Sequence, residues 1–246
     1  MKAPGALEGK AALVFGGSRG IGAAAARRLA QEGADVALTY VSAPQRAAET
    51  VAAIEGVGRA GRAIHADSTD PAAIRAAVAQ TVEHFGKLNI AVVNAGILML
   101  GDIATVSVAD LDRMLSINVR GVFLAIQAAA AQLGEGGRII TIGSNTAVRS
   151  GHPGSSVYSM SKAAVAVMVK GAAVDLASRG ITVNNIQPGP TITDMTAEHI
   201  EAIKPLIPLK RAADPEEIAG LVAWLARKES SYMTGSSLTI DGGMAL

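Results

Sequence analysis

Residues Ala11–Phe15 (AALVF) make an unbroken apolar run that stops on Gly16-Gly17-Ser18-Arg19-Gly20-Ile21-Gly22 and passes at once into an alanine-rich stretch, 23–31. A short run that is apolar at every position reads as a strand buried on both faces, and such a strand needs helices above and below it. A glycine turn between that strand and a helix lets the backbone come close to a ligand. It also aims free N–H groups and the helix dipole at an anion, so this join suits phosphate. The spacing, Gly16-x3-Gly20-x-Gly22, departs from the GxGxxG dinucleotide fingerprint. By itself the turn is equally well explained as a structural one.

The same alternation runs down the chain. Asp35–Tyr40, 62–66, 89–93, 138–142, 181–187 and Ser237–Ile240 read as strands. Helical stretches fall between them at 44–58, Pro71–Phe85, 108–133, the segment around and beyond Tyr158, and 215–227. Asp70-Pro71 and Asp214-Pro215-Glu216-Glu217 carry cap chemistry, an acidic N-cap followed by proline in the first turn. Apolar strands alternating with helices call for an α/β fold, a Rossmann-like doubly wound sheet of about seven parallel strands with helices on both faces. No linker or repeat divides the chain, so residues 1–246 are expected to form a single domain. Residues 196–211 lack a period and contain Pro205 and Pro208. They are expected to form a mobile substrate flap, spanning about 190–211, near the strand ends.

Half of the 246 residues are apolar but only 3% are aromatic, so Ala, Val, Ile and Leu must build the core. Lys plus Arg is 22 against 21 for Asp plus Glu, a balance that speaks against nucleic acid as a partner. There is no cysteine, and His65, His84, His152 and His199 have no partners at ligand spacing, so no metal site is expected. The first ten residues lack the apolar core of a signal peptide, and no apolar run approaches a membrane span. A soluble, cytoplasmic protein without a membrane partner is the expectation.

An NAD-specific site would carry an acidic residue at the end of the second strand, about 20 residues past the glycines. Here that end is Tyr40-Val41-Ser42, and Asp35 sits at the opposite end. Arg19 in the turn and Arg46 after the strand are placed instead for a 2′-phosphate, which guanidinium binds in bidentate fashion. Either arginine is also explained as ordinary surface charge. NADP is the expected cofactor, with NAD as the alternative.

Residues 143–162 read GSNTAVRSGHPGSSVYSMSK. Ser144 follows an apolar strand, and Tyr158 and Lys162 stand four apart at the head of a helix, on one face. A tyrosine near pKa 10 is a poor proton shuttle at neutral pH. A neighbouring ammonium favours the phenolate and would bring it into a useful range. A bare YxxxK is more often an exposed pair than a catalytic one.

Together these pieces resemble the short-chain dehydrogenase/reductase family over essentially the full length. The resemblance rests on GGSRGIG at Gly16–Gly22, Asp67-Ser68, Asn94-Ala95-Gly96, Asn118 in SINVRG, Ser144, YSMSK at Tyr158–Lys162, PGPTITDM at Pro188–Met195 and the C-terminal TGSSLTIDGG. It implies a tetrad of Asn118, Ser144, Tyr158 and Lys162. Tyr158 would pass its proton to a carbonyl oxygen as hydride arrives from a nicotinamide, Lys162 would lower the tyrosine pKa and hold the ribose, Ser144 would polarise the carbonyl, and Asn118 would position Lys162 and a relay water. It further implies cofactor contacts from Gly16, Ser18, Arg19, Gly20, Ile21, Gly22, Tyr40, Ser42, Asp67, Ser68, Asn94, Ala95, Gly96, Pro188, Gly189, Thr191 and Thr193, together with Tyr158 and Lys162. A homotetramer is implied as well, with the alanine-rich helix at 163–177 suited to close subunit packing.

Within the family the chain resembles the 3-oxoacyl-carrier-protein reductase and carbonyl reductase branch, with two departures. Phe15 stands where a threonine usually braces the glycine turn. Ala128–Ala131 and Val174 stand where basic residues would grip a carrier protein. A small-molecule ketone or secondary alcohol is therefore expected as substrate. The alternatives are a 3-oxoacyl thioester on carrier protein or coenzyme A, and a nucleotide sensor without turnover. His152, Ile97, Leu98, Val148 and Met195 are candidate pocket walls.

Overall fold

The computed structural model describes residues 5–246, so part of the N-terminal stretch considered for a leader lies outside it. Seven parallel strands form one sheet in the order β3-β2-β1-β4-β5-β6-β7. They are β1 (Ala11–Phe15), β2 (Asp35–Tyr40), β3 (Gly61–His65), β4 (Leu88–Val93), β5 (Leu133–Ile142), β6 (Thr182–Pro188) and β7 (Ser237–Ile240). The helices are α1 (Gly20–Gln31), α2 (Pro44–Gly56), α3 (Pro71–Phe85), α4 (Val108–Leu115), α5 (Val122–Gln132), α6 (Ser156–Leu176), the one-turn α7 (Ile200–Ile203) and α8 (Pro215–Ala226).

Strand residues alternate between faces, and that alternation divides the core in two. Val14, Leu38, Ile90, Ile140 and Ile186 pack with α1, α2 and α8, while Leu13, Phe15, Ala91, Val93, Ile139 and Val183 pack with α3, α5 and α6. All of β1 and β6 is buried; β1 is apolar throughout, whereas β6 carries Asn184 and Asn185, whose amides donate to the Met233 carbonyl and to Ser237 Oγ. α3 starts on Asp70, whose side chain accepts from the Ala72 amide. α8 starts on a capping box in which the Glu217 side chain answers Asp214, satisfying backbone donors that a helix start otherwise leaves open.

β5 begins at Leu133, five residues before the expected start. Leu133 is 2% exposed and pairs with Leu88, and the register then shifts before Ile90 pairs with Arg138. The Gly-Glu-Gly-Gly stretch between them forms the irregularity and hides the strand from a periodicity reading. The expected helix at 108–133 is α4 and α5 joined by a π-turn over Ser116–Gly121.

The helical stretches Val108–Gln132 and Ser156–Arg179 are long and apolar enough to cross a bilayer, against the expectation that no apolar run approaches that length. Here they cover the sheet, with Val122, Ile126, Val165 and Val169 in its core. Residues 196–211 also have more order than their sequence suggests. α7 is followed by a 3-10 turn at Lys204–Leu206, and Ile200, Ile207 and Ala212 form a small buried cluster with Met244 packed against it.

Strand order reverses beside β1, whose neighbours are β2 and β4. In open α/β sheets the ligand crevice lies at such a switch point, outside the carboxyl ends of the strands. The turn there is tightly built. The Asn94 amide donates to the Gly16 carbonyl (2.8 Å), and a Cβ on Gly22 would stand 2.2 Å from that same oxygen and 2.5 Å from Asn94 Nδ2. Gly22→Ala is therefore expected to destabilise the fold by about 1–3 kcal/mol through overpacking against backbone. Thermal unfolding checks this, and an unchanged melting temperature contradicts it.

Candidate active site

The crevice has a phosphate end and a hydroxyl–amine end. At the phosphate end, α1 begins on Arg19 with no side-chain cap and no acidic residue in its first turn. Its free N–H groups and dipole are thus available to an anion. The expected bracing threonine before the turn is Phe15, which is 2% exposed in the α3–α5–α6 core. β2 supplies the hydroxyl instead, since Thr39 Oγ1 accepts from the Gly16 amide (2.9 Å) and the Thr39 carbonyl accepts from Gly17 (2.9 Å).

Ser18, Arg19, Gly20, Arg46 and Thr193 line a cavity of about 310 Å³ over this turn. Thr193 lies so close that a Cβ on Gly20 would meet its Cγ2 at 3.2 Å. Asp194, next in the chain, faces both arginines. It accepts a hydrogen bond from Arg46 and lies 3.6 Å from Arg19. Two guanidinium groups, a helix N-terminus and glycine backbone make a donor set that fits the phosphates of a nucleotide.

The other residues expected to touch a cofactor surround the strand ends. Tyr40 closes β2 with its ring edge-on to His65, and Ser42 is exposed just beyond. Asp67 turns inward on its own loop, accepting from the Thr69 amide (2.8 Å) and hydroxyl (2.9 Å), and the Ser68 carbonyl abuts Gly121. Ile21 and Ala95 are half-buried, each packed against one of the two cores. Pro188 ends β6, Gly189 abuts Asp241, and Thr191 donates back to the Gly189 carbonyl (3.0 Å).

At the other end, the π-turn brings Asn118 to the centre of the fold with no exposed surface. A π-turn adds a residue to the helical repeat and so rotates one side chain out of the regular helix face. Asn118 Oδ1 accepts from the Ile97 amide (2.9 Å), and its Nδ2 donates to the Ile97 carbonyl (2.9 Å) and to Ser161 Oγ (3.2 Å). Gly96 lies between it and Lys162. A Cβ on that glycine would stand 3.3 Å from Asn118 Oδ1 and 3.4 Å from Lys162 Nζ.

Lys162 is 6% exposed and donates to the Ile142 carbonyl at 3.0 Å, with its ammonium 5.8 Å from the centre of the Tyr158 ring. Burial lowers its pKa from 10.5 to about 8, because a low-dielectric surrounding disfavours the charged form. Burial raises the Tyr158 pKa above its ordinary value, while a hydrogen bond from Ser144 works in the opposite direction. The sequence suggested that the lysine would lower the tyrosine pKa. In this arrangement desolvation outweighs the Ser144 hydrogen bond, and the Lys162 ammonium is turned towards the Ile142 carbonyl. Ser144 itself accepts from the Thr146 amide (3.2 Å) and hydroxyl (3.0 Å).

These four residues thus come together at the carboxyl ends of β4 and β5, beside the switch point. The comparisons with known proteins cover the whole of this fold. A family model described as Enoyl-(Acyl carrier protein) reductase matches residues 16–245. The "Cyclic-di-GMP-binding biofilm dispersal mediator protein" of Escherichia coli (strain K12) is 42% identical, over 97% of this chain and 98% of its own. The short-chain dehydrogenase/reductase from Serratia marcescens BCRC 10948 superposes with a TM-score of 0.95 at 51% identity, covering 98% of this chain and 99% of that one. A short-chain dehydrogenase from Burkholderia cenocepacia J2315, solved in complex with NADP, gives 0.95 at 48% identity with the same coverage. The chain belongs to the short-chain dehydrogenase/reductase family.

For a member of this oxidoreductase family, several supporting groups escaped the sequence reading. The Ile142 and Ile97 backbone groups carry no side-chain signal. Thr39 did leave one, as a lone hydroxyl in the otherwise apolar body of β2. Among the candidate walls, Ile97 and Leu98 are half-buried, whereas Val148 and Met195 are 60% and 50% exposed. The His152 carbonyl accepts from Ser155 Oγ (2.6 Å). Among the described residues no group of three His, Cys, Asp or Glu could hold a metal ion.

The buried lysine has a consequence for stability. Its folded pKa of about 8 lies below the 10.5 of the free side chain. Below about pH 8 both states are protonated and burial carries its full penalty, which is relieved as pH rises from about 8 to 10.5. Lys162→Met is therefore expected to raise stability at neutral pH by up to about 3 kcal/mol. Its advantage should shrink across that window. Denaturant unfolding at neutral and alkaline pH checks this, and a methionine variant less stable at neutral pH contradicts it.

Proposed function

We propose that the protein is an NADPH-dependent reductase that converts a small-molecule ketone to a secondary alcohol, reversibly. The supporting observation is the meeting of Ser144, Tyr158, Lys162 and Asn118 at one end of a crevice whose other end offers Arg19 and Arg46 to phosphate. The bound nicotinamide supplies the hydride that the carbonyl carbon receives. Tyr158, protonated at neutral pH as an ordinary tyrosine is, gives its Oη proton to the carbonyl oxygen. Ser144 donates a hydrogen bond to the same oxygen and holds the substrate in line.

Lys162 repels the proton that Tyr158 gives up and stabilises the phenolate left behind. Asn118 holds the 96–97 backbone and so fixes the wall against which Lys162 rests. Gly16, Ser18, Gly20, Ile21 and Gly22 cradle the pyrophosphate. Tyr40, Ser42, Asp67 and Ser68 border the adenosine, Asn94, Ala95 and Gly96 the ribose, and Pro188, Gly189, Thr191 and Thr193 the carboxamide.

In this reading the whole chain is one nucleotide-binding domain, cytoplasmic, with a substrate flap at about 190–211. A homotetramer is supported by Phe123 on α5 and by Met160, Val167 and Val174 on α6, which are 48–78% exposed. Apolar area of that kind on packed helices marks a protein contact.

The neutral alanine stretch Ala128–Ala131 and the exposed Val174 disfavour a carrier-bound 3-oxoacyl thioester. A second reading, a dinucleotide sensor without turnover, is favoured by the Escherichia coli relative, a cyclic-di-GMP-binding mediator protein. Absorbance loss of NADPH and of NADH over a panel of cyclic, aryl and β-keto ester ketones separates the readings. Turnover with NADPH, reduced at least about a hundredfold in Tyr158→Phe, is the expected result. Tight cofactor binding without turnover on any ketone or thioester contradicts it and leaves the sensor.

A further inference from the structure

The arginines offered to the 2′-phosphate already hold an anion of the chain's own. Asp194 lies in the segment after β6, and its carboxylate accepts from Arg46 and lies 3.6 Å from Arg19. These arginines come from different elements, Arg19 from the turn before α1 and Arg46 from α2. Nothing in local structure requires one carboxylate to reach both. All three side chains are at least half exposed and line the same cavity of about 310 Å³.

The segment is tied in place on either side of Asp194. Ile192 donates to the Ala213 carbonyl and Ala213 to that of Pro190, and Thr196 bonds back to the Thr191 and Thr193 carbonyls. A carboxylate on a braced segment, aimed at two guanidinium groups, is a fixed competitor for any other anion they could bind.

Resting on the NADPH reading above, we infer that Asp194 is a specificity-determining residue that occupies the 2′-phosphate position and must be displaced by that phosphate. A 2′-phosphate carries more charge than one carboxylate and can engage both guanidinium groups, so it wins the exchange, but at reduced net affinity. A cofactor that lacks the phosphate leaves the Asp194 contacts standing. Asp194 therefore narrows the preference for NADP over NAD without abolishing it.

Calorimetric titration of adenosine 2′,5′-bisphosphate and of adenosine 5′-monophosphate, at one fixed ionic strength, tests this on the wild-type chain and on Asp194→Asn. The asparagine keeps the shape and removes the charge. The bisphosphate is expected to bind the variant about threefold more tightly, the scale of one exposed ion pair, with the monophosphate unchanged. Equal or weaker bisphosphate binding to the variant overturns the inference while leaving the NADPH reading intact, provided that the wild type prefers the bisphosphate. If the wild type shows no such preference, the NADPH reading fails and the inference falls with it.

Discussion

A lysine ammonium drawn out of water is the constraint around which the crevice is built. Lys162 is closed in by α6, by the end of β5 and by the Asn94-Ala95-Gly96 turn, and its hydrogen bond in this structure goes to the Ile142 carbonyl. Charge in such a place is expensive unless something uses it, and the fall of its pKa to about 8 reports that expense. The neighbouring structure is arranged to keep it there. Gly96 leaves the space, Asn118 pins the adjoining backbone, and the π-turn exists where Asn118 must leave its helix to do so. Stability is given up at a position where the proposed chemistry needs a cation, a common trade at functional sites.

The phosphate end obeys the opposite logic, since its charges stay in water. The arginines are at least half exposed, and precision comes from the backbone, through Thr39 gripping Gly16 and Gly17 and Asn94 gripping Gly16. Both ends depend on the reversal of strand order beside β1. That reversal puts the β1 turn next to the end of β4 and joins the two halves of the crevice through one side chain, Asn94. A hydride transfer site of the proposed kind needs that join, because the anion-binding and proton-donating groups must hold one ligand between them.

Much of this was legible in the residues. β1, β2, α3 and β7 fall within the boundaries that apolar runs and cap residues indicate, because there local pattern and tertiary burial agree. The residues of the proposed tetrad were legible as motifs. The rest was hidden for physical reasons. β5 starts behind a glycine-rich irregularity that breaks periodicity. The cluster of Ile200, Ile207 and Ala212 depends on Met244 near the chain end, a contact no window sees. Spacing placed Tyr158 and Lys162 on one face but gave neither the desolvation around them nor the Ile142 carbonyl that accepts from the ammonium. Asp194 was visible in its motif, while its pairing with Arg19 and Arg46, both far away in sequence, was not.

The central claim is that desolvation outweighs the Ser144 hydrogen bond at Tyr158 in the cofactor-free protein and raises its pKa, with the Lys162 ammonium bonded to the Ile142 carbonyl. Phenolate absorbance of the cofactor-free protein, titrated through the alkaline range and corrected with Tyr158→Phe, measures this directly. The account predicts that the Tyr158 component ionises above the ordinary tyrosine pKa of about 10. Ionisation of that component well below this value, in the cofactor-free protein, would contradict it.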